Sequence, residues 1–121
     1  MKVHQGAAHV AEAACTVSWQ VIELEGQAVV WLGAAGEGSE AALRLTNMSM
    51  AVPATGGGGE TSATCLTGAG AAADAASALA RRLSKRWGRH VVCSLDVPGG
   101  PDAMLPLLAA AERVLCERVS L

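Results

Sequence analysis

The chain has neither phenylalanine nor tyrosine, and Trp19, Trp31 and Trp87 are its only aromatic side chains besides three histidines. Much of its 51% apolar content is alanine, so each residue buries little surface. A domain of this kind gains by burying more surface against a partner. With no aromatics interleaved among its basic residues, the chain lacks the stacking platforms of a single-stranded nucleic-acid binder. Its formal charge of −2 gives no general pull toward a polyanion. No apolar run approaches the eighteen or so residues of a membrane-spanning helix. Cys15, Cys65, Cys93 and Cys116 are far apart, with no C-x-x-C and no neighbouring histidine pair, which excludes zinc-ligand spacing. Free thiols in a reducing compartment are expected, hence a cytoplasmic chain with the nucleus also open to it.

At 121 residues the length suits one domain. Residues 1–12 are weakly patterned and are expected to be a flexible segment, or at most a short first strand, ahead of a single domain over 13–121. From Cys15 the sequence alternates, with Cys15, Val17, Trp19 and Val21 on one side and Thr16, Ser18 and Gln20 on the other, which predicts a half-buried strand. The apolar parity changes at Val21-Ile22, where a bulge is expected. Glu25-Gly26-Gln27 predicts a hairpin turn, and Ala28 to Gly33 a returning strand apolar on both faces. Two alternating runs of opposite parity follow, with a bulge expected between them at Asn47, and then a glycine-rich loop over 53–60.

The stretch Ser62-Ala63-Thr64-Cys65-Leu66-Thr67-Gly68-Ala69-Gly70 predicts a strand and a tight turn. It leads into a helix whose apolar face is Ala72, Ala76, Leu79, Ala80, Leu83 and Trp87. Asp74 is expected near its first turn, basic residues lie near its end, and Gly88 closes it. His90 to Leu95 predicts a strand. A last helix, starting near Asp102 or at Pro106, carries Leu107, Leu108, Ala111, Val114, Leu115 and Val119 inward. The expected class is α+β, a mostly antiparallel sheet in the order β-β-β-β-α-β-α. Two helices can cover only one face of it. The other face is expected to serve dimerisation, with Val29, Trp31 and Leu45 as candidate interface residues.

Each chemical motif is outweighed by a plainer reading. Gly68-x-Gly70-x-x-Ala73, with Asp96 at the next strand's end, has the outline of a dinucleotide fingerprint, yet too little chain follows to build the rest of such a domain. The same turn lacks the Lys-Ser/Thr ending of a P-loop. His4 and His9 fall in the N-terminal segment, and His90 begins a strand with no nucleophile motif near it. Glu23 and Glu25 read as solvated hairpin residues. No catalytic, cofactor-binding or metal-binding residue is assigned, and the chain is expected not to be an enzyme. Arg81, Arg82, Lys85 and Arg86 form a basic cluster that suits the helix dipole and is also a candidate patch for an acidic partner.

In order and spacing, Val30-Trp31-Leu32-Gly33-Ala34, the run over 43–52, Thr64-Cys65-Leu66-Thr67-Gly68, Leu79-Ala80-Arg81-Arg82-Leu83 and Val91-Val92-Cys93-Ser94-Leu95 resemble the proteasome assembly chaperone 4 family, over roughly residues 15–118. The resemblance implies a small α+β chaperone without enzymatic activity or cofactor. It implies a heterodimer with an assembly chaperone 3-like subunit and, as client, an α-type subunit, the fifth, held while the α ring of the 20S core particle is built. Two alternatives stand beside it: a small nucleotide-binding protein using the Gly68-x-Gly70 turn, and a homodimeric adaptor domain.

Overall fold

The computed structural model describes residues 1–10, 15–36, 47–53, 61–97 and 101–121. The strands are β1 (Lys2–Val10), β2 (Cys15–Leu24), β3 (Gln27–Gly36), β4 (Met48–Val52), β5 (Ser62–Thr67) and β6 (His90–Asp96), and the helices are α1 (Gly70–Trp87) and α2 (Pro101–Arg118). They form one six-stranded sheet in the order β1-β2-β3-β6-β4-β5. All neighbours are antiparallel except β3 and β6. The fold is α+β, as expected, with one strand added at the front.

That added strand occupies residues 2–10, expected to be a flexible segment or short strand. It pairs with β2 along its whole length, from Lys2 opposite Glu23 to Val10 opposite Cys15. Its small residues have a packing reason. A Cβ on Gly6 would fall 2.7 Å from Cζ2 of Trp19, so the indole needs a glycine beneath it. Sequence pattern is weak here because β1 is an edge strand with most side chains exposed.

Both helices pack on the same side of the sheet. The core joins Val17, Trp19 and Val21 of β2, Ala28, Val30 and Leu32 of β3, and Val91, Cys93 and Leu95 of β6 to Leu79 and Leu83 of α1 and Leu107 and Leu115 of α2. Burial lifts the Cys93 thiol to a pKa of about 12, against a weaker opposing pull from Arg82. Within this core Ser49 and Ser77 hydroxyls lie 2.7 Å apart, joining β4 to α1.

Helix ends follow local chemistry. Gly88, at φ 64°, closes α1 and donates its N–H to Ser84 O. Helix α1 has no acidic residue in its first turn, so Asp74 sits deeper than the sequence suggested. Helix α2 begins at Pro101, beside Asp102 as one of the two expected starts had it, and Pro106 lies inside the helix rather than at its start.

Candidate functional site

Strand register sorts the side chains into two sets. Residues 15, 17, 19, 21 and 28, 30, 32 and 91, 93, 95 point toward the helices; those between them point the other way. On that second, outer face, Val3 stands opposite Ile22, Ile22 opposite Val29, Val29 opposite Val92 and Val92 opposite Met50. Five apolar side chains on five adjacent strands thus form one transverse row, about 19 Å long at the usual inter-strand spacing of about 4.8 Å. None of the five belongs to the buried core.

The bulge expected at Val21-Ile22 is absent, since β2 keeps unbroken register with both β1 and β3. Ile22 and Leu24 have the opposite parity to Val21 because they face outward. The parity change marks a second apolar face rather than an irregularity. Among the described residues a register shift lies between Met48 and Ser49, one residue beyond Asn47, which adopts φ 50°.

Val29, half-buried, sits at the centre of the row. Trp31 also faces outward, yet it is only 7% exposed. Its ring lies along the strand over Gly33, where a Cβ would come 2.6 Å from Cη2 and Cζ2. The indole is therefore a floor for the face rather than a protruding knob. Leu45 lies outside the described residues. The formal charges on the described part of this face reduce to Asp96, with Gln5, Gln20, Gln27, Ser18 and Thr64 around the row. An apolar centre within a polar surround that carries a single formal charge is the composition of a protein interface core and rim.

The glycine turn serves packing. Gly68, at φ 106°, presses on Asn47, and a Cβ there would stand 2.8 Å from the Asn47 Cα. Asn47 in turn donates from Nδ2 to Leu95 O at 3.2 Å, tying the turn to the end of β6. Gly68 follows the edge strand β5, and β4 separates it from β6, which carries Asp96. A dinucleotide crevice forms between neighbouring parallel strands at a switch point, and β5 has no parallel neighbour.

His4 lies on β1 and reaches Glu23 Oε2 at 3.3 Å. Arg89 approaches Glu23 Oε1 at 3.5 Å and donates to Leu24 O at 3.1 Å. Glu23 is thus a half-buried clasp between β1, β2 and the start of β6, where the sequence suggested a solvated hairpin acid. Sequence reasoning missed this trio because its members come from three separate segments. Among the described residues, no group of three or more His, Cys, Asp or Glu is placed to hold a metal ion. None of the described helices is long and apolar enough to cross a membrane.

Arg81, Arg82, Lys85 and Arg86 are exposed on the outward side of α1, across the sheet from the apolar row. Arg82 Nε donates to Glu112 Oε1 at 2.6 Å, linking the helices.

A family model described as proteasome assembly chaperone 4 matches residues 16–97. Among solved structures, one described as a novel chaperone complex for yeast 20S proteasome assembly contains a chain that superposes with a TM-score of 0.66 at 14% identity. The alignment covers 97% of this chain and 94% of that one, a likeness of fold. None of the curated proteins matches the chain significantly.

Proposed function

The chain belongs to the proteasome assembly chaperone 4 family, and on that premise we propose that it acts without catalysis as one half of a heterodimer with an assembly chaperone 3-like subunit. The pair holds an α-type subunit, the fifth by family resemblance, while the α ring of the 20S core particle is built. The observation that carries this reading is the transverse row Val3, Ile22, Val29, Val92 and Met50, which no described helix covers. The five gaps between the six strands of the sheet, at about 4.8 Å each, and strands of about seven residues at about 3.3 Å give the whole face an extent on the order of 24 by 23 Å, about 550 Å². That flat footprint is about two-thirds of the roughly 800 Å² per partner of a standard interface, before side-chain relief is counted. The yeast protein of the same fold was solved in a chaperone complex for 20S proteasome assembly, which also supports pairing.

Val29→Asp is the discriminating variant, because a carboxylate at this half-buried position reaches water in the monomer but is sealed in a sheet-to-sheet pair. Burying it unpaired costs about 3 kcal/mol or more, a loss of over about a hundredfold in affinity. Co-expression with the chaperone 3-like subunit, with circular dichroism of the variant alone, reads both effects. Co-purification at wild-type yield would exclude this face as the pairing surface. Dimerisation of the chain with itself at physiological concentration, preferred over the sister subunit, would instead favour an adaptor role.

A further inference from the structure

We propose that the outward ridge of α1, formed by Arg81, Arg82, Lys85 and Arg86, docks an acidic protein surface, at a site separate from the apolar row. The inference rests on the proposed function in one respect: the acidic surface is taken to belong to the proteasome subunit being held. The chain carries a formal charge of −2, yet α1 holds these four cations against the single acid Asp74. Dipole complementation accounts for Lys85 and Arg86, which lie in the last turn. Arg81 and Arg82 sit a turn further back, where that field has faded. Arg81 with Lys85, and Arg82 with Arg86, are like charges at i,i+4, a spacing that repels within the helix. Among the described residues only Arg82 of the four has a carboxylate within salt-bridge distance, Glu112. Glu112 balances one of the four charges; among the described residues Arg81, Lys85 and Arg86 have no such partner, and a ridge that repels itself and is only partly compensated is complementary to negative charge from outside.

The occupant is a protein rather than a nucleic acid. Trp87, the aromatic nearest the ridge in sequence, is buried at 8% exposure and offers no stacking platform. The ridge spans only about 7.5 Å of helix axis at 1.5 Å per residue, too short to track a polyanion backbone. Its placement on the helical side leaves it free while the opposite sheet face is paired.

The test uses the full chain paired with its sister subunit, comparing wild type with Arg81→Glu/Lys85→Glu. Both positions are exposed, so the fold should be retained, and Arg81→Gln/Lys85→Gln provides a variant without reversed charge. Probes are purified α-type subunits, an immobilised polyglutamate peptide and poly(U) RNA, at low and high salt. Binding of the first two should weaken at least about tenfold in the reversal variant at about 50 mM salt, and the difference should shrink to under about threefold at about 500 mM. Sister pairing should be unchanged, and the thermal midpoint should fall by no more than about 4 °C, the cost of setting an anion at position 85 against the helix dipole. If an α-type subunit binds variant and wild type alike, the ridge assignment is overturned while the proposed function stands. If polyglutamate binding is lost in the variant but no α-type subunit binds either form, the ridge stands and the proposed client does not. Tighter binding of poly(U) than of polyglutamate would overturn the assignment to a protein partner.

Discussion

Gly33→Ala should displace the floor of the outer sheet face. The backbone at Gly33 lies outside the positive-φ region, so alanine is permitted there and the only obstacle is Trp31. A new Cβ would meet Cη2 and Cζ2 of that ring at 2.6 Å, whereas ordinary contact begins at 3.4 Å, so the indole must retreat by nearly 1 Å. The sheet blocks retreat downward, and the ring must lift outward. Overpacking of this kind costs about 1–3 kcal/mol. At roughly 4 °C per kcal/mol for a domain of this size, the midpoint should fall by about 4–12 °C. Thermal unfolding followed by circular dichroism measures the loss, and tryptophan emission should shift to the red as Trp31 gains water. In a Trp31→Leu background the same Gly33→Ala change should cost less than about 0.5 kcal/mol, because the clash has been removed. A midpoint within about 1 °C of wild type, with unchanged emission, would refute the packing of Trp31 on Gly33.

Gly68→Ala should destabilise the fold by about 2 kcal/mol or more, through positive φ and the approach of Asn47, as read by urea unfolding. Cys93 should resist thiol reagents in the native state, while exposed Cys65 reacts promptly. Because burial raises the folded-state pKa of Cys93 from 9.0 to about 12, its contribution to stability is whole below pH 9 and is lost as pH rises through 12; an unfolding free energy that does not fall between those limits would contradict its burial. Arg82→Ala should change stability by less than about 1 kcal/mol, since the Glu112 pair is solvent-screened at the exposed Arg82 side chain.

Much of the architecture was legible because its signals are local. The alternation from Cys15, the Glu25-Gly26 turn, the inward stripe of α1 and Gly88 at its end are each set by neighbours within a few residues. Strand β1 was not, because an edge strand beside a tryptophan is selected for smallness rather than for alternation. The outer row was present in the sequence in disguise. Ile22 and Leu24 break parity with Val21, and Val29 and Val92 each stand next to another valine that faces the core, but only register shows that Ile22, Val29 and Val92 stand abreast. The role of Trp31 as a floor depends on Gly33 two residues away on the same face, a contact that periodicity alone does not weigh. The Glu23 clasp required a β1 to β2 pairing that residues 2–10 gave no pattern to expect.

Methyl NMR with a soluble paramagnetic agent tests the central claim most directly, by following Ile22, Val29, Val92 and Met50 as the chaperone 3-like subunit is titrated in. These four methyl-bearing side chains should lose their paramagnetic broadening together and in step with complex formation, while Leu105 on the helical side keeps its own. Saturated pairing that leaves all four as accessible as in the free chain would contradict the account.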